Sequence, residues 1–298
     1  MNTSDYKTRL AEDLRRQAEG IEDTLQYLTH EGADVPLFNQ LELSVVDSCN
    51  RSCEFCPRSD PEMAPKQNLY MSLDLCRKMA EELEKLKFAG IVSLAGYSEP
   101  LLHPNIVEMV RVLSAHAAVE IYTNGDLLKS SLVEELVHAG ISKIVVNMYD
   151  GPEQYAKLTK IFDAAGIRDG YVLRERWFSA EEGYGMIVTN RGGTINIGDN
   201  KKPESNAPCY YPHYYLMIDW NGDVHLCPQD WNRRLKFGNI AMTSMAEVWC
   251  LNTFNRFRRR LAAGKRDLSP CQNCNAGGVA CGKKHMLGWV NFLEPLRA

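Results

Sequence analysis

The sequence predicts an α/β fold, in which helices cover a mostly parallel sheet. From about residue 40, short apolar runs alternate with segments that have a helical pattern. Such alternation is typical of βαβ units, which build parallel sheets. The chain has 298 residues, of which 45% are hydrophobic, so it can bury a large core. We therefore expect one long domain, or one domain with a smaller appendage.

The strands and helices are predicted in a regular order along the chain. Four apolar runs form the first four strands: LELSVV, GIVSLA, VEIYT and KIVVNM. The helices between them cover residues 72–85 and two segments that end at Ala117 and Ala139. Two more apolar stretches, YVLRERWF and YGMIVTN, extend the sheet to about six strands. This number is smaller than the eight strands of a closed barrel.

Three segments are predicted. Residues 1–39 form an N-terminal helical extension, because residues 5–29 have the pattern of an amphipathic helix. Residues 40–200 contain the alternating strands and helices. The polar stretch GDNKKPESN, which includes Pro203, marks the boundary to a second module over residues 201–298.

Three cysteines follow the first predicted strand with the spacing C-x3-C-x2-C: Cys49, Cys53 and Cys56. Three thiolates at this spacing can ligate a four-iron cluster and leave one iron without a protein ligand. Such an iron can bind a substrate, as the open position of a catalytic zinc does. Zinc sites usually present paired C-x2-C or histidine ligands instead. Active sites of such sheets lie at the C-terminal ends of the strands, which is where these cysteines fall.

The triplet resembles that of the radical S-adenosylmethionine (SAM) superfamily, whose members bind the amino and carboxylate groups of SAM at the open iron. The resemblance implies the partial (β/α)6 barrel common to radical SAM enzymes. Gly96–Pro100, directly after the second strand, resembles the Gly-Gly-Glu-Pro element that holds the SAM ammonium group, although Tyr97 and Ser98 depart from it. The resemblance therefore assigns Ser98 and Glu99 to the SAM ammonium group.

Three further positions match SAM contacts of this superfamily. Phe55 occupies the aromatic position whose main chain borders the adenine. Asn147 ends the fourth strand, where members often place a polar residue against the ribose. Arg174 or Arg176 on the fifth strand could pair with the SAM carboxylate, and we assign Arg174. Both arginines point to the same face, so the choice stays open, and exposure at a strand edge is the alternative.

Four more cysteines lie in the C-terminal segment: Cys209, Cys227, Cys271 and Cys274. The first two flank YLMIDWNGDVHL, whose Asn-Gly turn predicts a hairpin that brings them together. The C-x2-C pair then completes a set of four thiolates. The layout resembles the auxiliary-cluster modules called SPASM and twitch, which implies a second 4Fe-4S cluster. Zinc is the alternative metal, because spacing does not separate the two kinds of site.

Subtracting these seven candidate ligands from ten cysteines leaves Cys76, Cys250 and Cys281. Cys76 lies among apolar residues of a predicted helix and is expected to be a buried thiol. Cys250 lies on a helix predicted over about residues 244–261, at a position where related modules often carry asparagine. A thiol can give a hydrogen atom to a carbon radical, so Cys250 is the candidate catalytic residue. A small apolar residue of the helix is the alternative.

This combination resembles radical SAM epimerases of the neomycin C type, in which a cysteine donates the hydrogen atom. The resemblance implies an isomerase of antibiotic biosynthesis that consumes SAM as a co-substrate and inverts a sugar carbon of an aminoglycoside. The 5'-deoxyadenosyl radical would remove a hydrogen atom from one face, and Cys250 would return one to the other. The expected cofactors are SAM and two 4Fe-4S clusters, reduced by an external donor of the flavodoxin or ferredoxin type.

Three alternatives are open. A radical SAM alcohol dehydrogenase of an aminocyclitol would oxidise its substrate, with the auxiliary cluster accepting the second electron and a base removing the hydroxyl proton. A peptide-modifying SPASM enzyme would depend on a leader peptide. A redox-sensing iron-sulfur protein would not cleave SAM, and the Gly96–Pro100 element counts against it.

Composition and charge exclude other classes of function. A net charge of -4 argues against nucleic acid as a partner and permits a cationic substrate. The sequence contains no apolar run long enough to span a membrane, and the N-terminal residues lack the apolar core of a signal peptide. Cysteines grouped for metal ligation indicate a reducing compartment. We therefore expect a cytoplasmic protein that does not associate with membranes.

Overall fold

The fold is seen in a computed structural model. It describes residues 24–196 and 207–293, together with residues 8, 11–12, 15 and 18–21. The described residues up to 21 are helical, whereas Tyr27–His30 (β1) and Ala33–Pro36 (β2) pair as an antiparallel hairpin. The described end of the predicted helical extension is therefore a hairpin. The predicted boundary stretch over residues 198–206 lies outside the described residues.

In the described part of the chain, the central sheet has eight strands. Five of them are parallel and adjacent in both sequence and space: Gln40–Ser44 (β3), Ile91–Leu94 (β4), Ala118–Thr123 (β5), Lys143–Met148 (β6) and Tyr171–Glu175 (β7). The other side of β3 carries Tyr215–Asp219 (β8), Asp223–His225 (β9) and Lys236–Asn239 (β10). The spatial order is β10-β9-β8-β3-β4-β5-β6-β7. β8 is parallel to β3, and the hairpin β8–β9 is antiparallel, as the Asn-Gly turn predicts.

The α/β class with a central parallel sheet is confirmed, but the identity of the sixth parallel strand is not the predicted one. Residues 184–190 form the end of a 3-10 turn and an irregular segment instead of a strand. Tyr184 has a φ of 51°, which is not a strand conformation, and Ile187 is 68% exposed. The sixth parallel strand among the described residues is β8, in register with β3 from Gln40 opposite Tyr215 to Ser44 opposite Asp219. The C-terminal hairpin therefore continues the sheet instead of forming a separate layer.

Helices cover the connections between strands: Leu73–Lys85 (α1), Ile106–Ser114 (α2), Ser130–His138 (α3) and Pro152–Ala164 (α4). The C-terminal part adds Tyr211–Tyr214 (α5), Met245–Cys250 (α6), Asn252–Ala262 (α7) and Lys283–Leu293 (α8). Ser72 begins α1 by accepting a hydrogen bond from the Leu75 N–H at 3.1 Å, as expected of an N-cap serine. The single helix predicted over residues 244–261 is interrupted at Leu251, whose ψ of 137° is not helical.

The core lies between the sheet and these helices. All five residues of β3 are buried, which is usual for a parallel strand covered on both faces. No helix in the described ranges is long and apolar enough to cross a membrane. Because the parallel strands share one direction, their C-terminal ends meet at one edge of the sheet, and the candidate site lies there.

Candidate active site

A cavity of about 270 Å³ opens at the C-terminal edge of the sheet. The three cysteines of the first motif line it: Cys49, Cys53 and Cys56. Burial raises the pKa of all three thiols, that of Cys53 to about 12. Partly buried thiols that line one cavity are poor as free anions, but they suit a bound metal, because a coordinated thiol is deprotonated by the metal charge. The donor set therefore fits an iron-sulfur cluster with three protein ligands.

Charged pairs attach the cysteine loop to the loops after β5 and β6. The Arg51 guanidinium group donates to Asp126 at 2.5 and 2.7 Å, and to Asp150 at 2.5 and 2.9 Å. Arg51 also lies over the Tyr149 ring, 5.3 Å from its centroid. The hydrogen bonds from Arg51 lower the pKa of Asp150. These contacts hold the loop between Cys49 and Cys53 in place. Asp150 contributes to them by accepting hydrogen bonds from Arg51.

Glu99 and Ser98 line the cavity, as the SAM assignment requires. The Glu99 carboxylate accepts hydrogen bonds from the Thr123 hydroxyl at 2.7 Å and from the N–H groups of Asn124 and Leu101 at 2.9 and 3.1 Å. Burial nevertheless raises the pKa of Glu99 to about 7. Glu99 therefore ties the end of β4 to the end of β5, and its carboxylate is already largely occupied.

Close packing requires the glycine that begins Gly96–Pro100, the segment that we call the SAM segment. Gly96 has a φ of 77°, and a Cβ atom there would lie 2.8 Å from Cβ of Ser44. The close approach lets the Tyr97 N–H donate to the Ser44 hydroxyl at 3.1 Å. The Tyr97 hydroxyl in turn donates to the main-chain oxygen of Asp230 at 3.1 Å. Tyr97, which departs from the superfamily pattern, thus links the SAM segment to the C-terminal hairpin loop.

The other predicted SAM residues divide into two groups. Phe55 and Asn147 line the cavity, and Phe55 packs against Tyr184 with ring centroids 4.8 Å apart. Arg174 and Arg176 are not among the described residues that line it. Arg174 lies over the Tyr122 ring at 5.5 Å, and Arg176 donates to the main-chain oxygen of Gly185. The structure therefore does not bring Arg174 to the cavity.

Glu42 and Arg191 are among the cavity residues that were not predicted from the sequence. Glu42 on β3 is 9% exposed and accepts a hydrogen bond from the Tyr215 hydroxyl at 2.5 Å. Burial raises the pKa of Glu42 to about 7, although Tyr215 and Arg191 oppose the shift. Arg191 also lines the cavity, and its Nε is buried without a hydrogen-bond partner among the described residues. An acidic residue inside the apolar run LELSVV is a signal that could have identified Glu42, whereas no local pattern marks Arg191.

The four C-terminal cysteines line a second pocket: Cys209, Cys227, Cys271 and Cys274. The first two flank the segment that contains α5 and the β8–β9 hairpin, and the other two lie at a 3-10 turn over Cys271–Asn273. Burial raises the pKa of all four thiols. The same chemical argument applies as for the first set, so this pocket is the candidate site of the auxiliary cluster.

Cys250 lies elsewhere. It ends α6, is 8% exposed and belongs to the apolar core. Its neighbour Trp249 donates from Nε1 to the main-chain oxygen of Pro36 at 2.8 Å, which ties α6 to the end of β2. Cys250 lines neither cysteine pocket among the described residues, because helix packing directs it into the core.

Comparison with known proteins identifies both modules. Residues 43–165 match the radical SAM superfamily, and residues 209–275 match SPASM, an iron-sulfur cluster-binding domain. The S-adenosyl-L-methionine-dependent 2-deoxy-scyllo-inosamine dehydrogenase of Niallia circulans is 32% identical over 244 residues, which are 80% of this chain and 93% of that protein. These matches establish SAM and 4Fe-4S clusters as the cofactors and decide against zinc.

Solved structures agree with this relationship. The crystal structure of BtrN in complex with AdoMet and 2-DOIA has a TM-score of 0.69 and 29% identity, and the alignment covers 85% of this chain and 98% of that chain. Streptococcus suis SuiB bound to precursor peptide SuiA has a TM-score of 0.57, with 80% of this chain and 70% of that chain covered. At 15% identity, the likeness to SuiB shows the fold alone.

The prediction of an epimerase is wrong. The Niallia circulans relative, whose alignment covers 80% of this chain, is a dehydrogenase, so the comparisons favour the alternative of an oxidising radical SAM enzyme. The coarser prediction, a radical SAM enzyme with an SPASM-type auxiliary module, is confirmed. The chain belongs to the radical SAM superfamily, in the family of the S-adenosyl-L-methionine-dependent 2-deoxy-scyllo-inosamine dehydrogenase of Niallia circulans.

Proposed function

We propose that this protein is a radical SAM dehydrogenase that oxidises a secondary alcohol of an aminocyclitol to a ketone. The observation that carries the proposal is that a single cavity is lined by the first cysteine set and by the loop that follows Cys227. Cys49, Cys53 and Cys56 line one part of it, and Pro228 and Trp231 from the loop after Cys227 line another. A substrate bound here would lie between the two clusters, as an oxidation that uses both of them requires.

Oxidation of the alcohol removes a carbon-bound hydrogen atom, a hydroxyl proton and one electron. When bound, SAM and the first cluster would supply a 5'-deoxyadenosyl radical to take the hydrogen atom. The auxiliary cluster would accept the electron. We assign the cluster ligands as the two cysteine sets described above, and SAM binding to Phe55, Ser98, Glu99 and Asn147. The protein itself must position the alcohol and accept the proton. No hydrogen atom is returned to the substrate, so this reaction has no step for Cys250.

Glu42 is the candidate base for the hydroxyl proton. Its carboxyl group lines the cavity, and Tyr215 is its only hydrogen-bond donor among the described residues. The pKa of about 7 suits a group that must be ionised before the reaction and protonated afterwards. The other buried carboxylate of the cavity, Glu99, already accepts three hydrogen bonds and is less able to serve.

Arg191 is the candidate group that stabilises negative charge on the substrate oxygen. Three arginines line the cavity, and two of them have carboxylate partners: Arg51 with Asp126 and Asp150, and Arg58 with Asp47. The third, Arg191, has an Nε that is buried without a hydrogen-bond partner among the described residues. A cavity arginine with an unpaired N–H group is suited to bind an oxygen that becomes anionic.

The turn that carries Arg191 is held against the auxiliary pocket. Asn190 donates from Nδ2 to the main-chain oxygen of Asn273 at 2.7 Å. Gly192 and Gly193 have φ values of 67° and 85°, and side chains there would collide with Gln229 and Asn273. Arg191 itself has a φ of 48°, which a non-glycine residue adopts only when its surroundings enforce it. Arg191 is therefore positioned between the two cysteine sets.

The substrate class rests on the dehydrogenase relative, which is named for its substrate 2-deoxy-scyllo-inosamine. We propose an aminocyclitol of this kind, and a flavodoxin- or ferredoxin-type protein as donor of the electron that starts each turnover. The net charge of -4 is compatible with a cationic substrate of this kind.

The experiment is product analysis with anaerobic, cluster-loaded protein, SAM, a reductant and 2-deoxy-scyllo-inosamine. We expect one ketone for each 5'-deoxyadenosine, lighter than the substrate by the two hydrogen atoms that the oxidation removes. A product with the mass of the substrate, or no turnover of any aminocyclitol, would contradict the proposal. Arg191→Met should lower ketone formation by roughly 10²- to 10³-fold, as loss of one oxyanion contact does. Arg77→Met, at an exposed α1 position, is the matched control.

A further inference from the structure

A buried ion pair and a buried histidine–carboxylate contact lie next to the two cysteine sets. Arg58, two residues after Cys56, pairs with Asp47 at 2.9 Å, and their side chains are 2% and 8% exposed. His225, two residues before Cys227, contacts Asp219 at 2.9 Å, with side chains that are 2% and 3% exposed. The first pair belongs to the loop of the SAM cluster, and the second to the hairpin of the auxiliary pocket.

Arg233 connects the two pairs. Its Nη2 lies 2.7 Å from Asp47 Oδ1, and its Nε lies 3.9 Å from Asp219 Oδ2. Among the described residues, it is the one side chain that forms ion pairs with both carboxylates. We call Asp47, Arg58, Asp219, His225 and Arg233 the connecting network. Without Arg233, Asp47 would still contact Arg58, and Asp219 would still contact His225. Arg233 is therefore needed to connect the two pairs and not to form either of them.

Two further contacts support a specific placement of Arg233. Its guanidinium group lies over the ring of Tyr97, 5.3 Å from the centroid, and Tyr97 belongs to the SAM segment. Its backbone has a φ of 50°, in the left-handed region that costs a non-glycine residue free energy. The turn is closed by a hydrogen bond from the Arg233 N–H to the main-chain oxygen of Asp230 at 2.9 Å. With this backbone conformation, the Arg233 side chain contacts Asp47.

We propose that Arg233 is a positioning residue. It holds the loop from Cys227 to Arg233, the auxiliary-cluster loop, against residues 47–58, the SAM-cluster loop. The loop from Cys227 to Arg233 contributes Pro228 and Trp231 to the cavity, so its position sets the separation between bound substrate and the auxiliary cluster. Electron transfer slows steeply as that separation grows. The inference rests on the proposed function in one respect, that the auxiliary cluster accepts the electron of the substrate.

The test compares Arg233→Met, which keeps the length but removes the charge, with Arg233→Lys, which keeps the charge. Arg234→Met is the matched control, because Arg234 donates to Ser269 of the C-terminal module and not to the SAM-cluster loop. At equal iron content and equal SAM cleavage, ketone per 5'-deoxyadenosine should fall by roughly tenfold in Arg233→Met, as expected when one charge-assisted contact no longer positions the loop. Arg233→Lys should recover part of this loss, and the control should retain the wild-type ratio.

Two readouts do not need turnover. Amide hydrogen exchange over residues 47–58 should accelerate in Arg233→Met, and the magnetic coupling between the two reduced clusters should weaken. Wild-type exchange, coupling and ketone ratio in Arg233→Met would overturn the proposal. An equal loss in Arg234→Met, or loss of auxiliary iron in both Arg233 variants, would also overturn it by showing a merely structural role. If the wild-type protein forms no ketone, the proposed function fails, while exchange and coupling still test the connection.

Discussion

Replacement of Glu42 by glutamine tests whether this carboxyl group accepts the hydroxyl proton. Burial raises the pKa of Glu42 from 4.5 to about 7 in the ligand-free protein. One pKa unit corresponds to about 1.4 kcal/mol, so the ionised carboxylate costs the folded state on the order of 3 kcal/mol. Glutamine has a similar size and cannot ionise. The variant therefore removes both this cost and the base.

The sign of the stability change follows from the raised pKa. Between 4.5 and about 7, folded Glu42 retains a proton that the unfolded chain releases, so wild-type stability falls as the pH rises through this interval. Glu42→Gln does not have this contribution. Above about pH 7 the variant should exceed the wild type by on the order of 3 kcal/mol, or roughly 6 to 12 °C in unfolding temperature. Anaerobic thermal unfolding of both cluster-loaded proteins over a pH series measures the difference.

Activity should change in the opposite direction. The base must be ionised, so wild-type ketone formation should rise as the pH passes through about 7. In Glu42→Gln the rate should fall by roughly 10²- to 10⁴-fold, and the rise with pH should disappear. Single-turnover measurement of ketone and 5'-deoxyadenosine by mass spectrometry separates loss of the base from loss of SAM cleavage.

Glu82→Gln provides the control. Burial also raises the pKa of Glu82, but this residue accepts a hydrogen bond from the Met245 N–H at 2.5 Å and does not line the cavity. Its replacement should change the pH dependence of stability without changing that of ketone formation. If Glu42→Gln oxidised substrate at the wild-type rate with the wild-type pH profile, Glu42 would not be the base. A stability difference independent of pH would refute the argument from burial.

Two other changes test the cofactor sites. Replacement of Cys49, Cys53 and Cys56 by alanine should lower the iron content from about eight to about four atoms per chain and abolish SAM cleavage. Iron analysis and detection of 5'-deoxyadenosine measure these two effects. Surviving cleavage would refute the assignment. Glu99→Gln should weaken SAM binding by roughly 1 to 3 kcal/mol, because the amide nitrogen cannot accept the hydrogen bonds that hold the segment. Equilibrium binding of SAM measures the loss, and an unchanged dissociation constant would show that Glu99 does not shape the SAM site.

Local sequence patterns were sufficient to predict several parts of this protein. The C-x3-C-x2-C triplet places its thiols within one loop, so their convergence depends on a few residues near Arg51. The alternation of apolar runs and helices likewise predicts β3 to β7 in order, because periodicity reports burial residue by residue. The Asn-Gly turn predicts the β8–β9 hairpin for the same reason.

Tertiary structure decided which distant residues meet. Pairing of β8 with β3 brings the Tyr215 hydroxyl within hydrogen-bond distance of Glu42, although the two residues are 173 positions apart in sequence. The irregular segment in place of the predicted sixth strand is followed by the turn that directs Arg191 into the cavity, and packing of α6 directs Cys250 into the core. These outcomes depend on how whole elements pack, and no local periodicity encodes them. Short-range cysteine spacing therefore predicts the cluster sites. The candidate base Glu42 and the candidate oxyanion contact Arg191 are instead brought to the cavity by long-range packing.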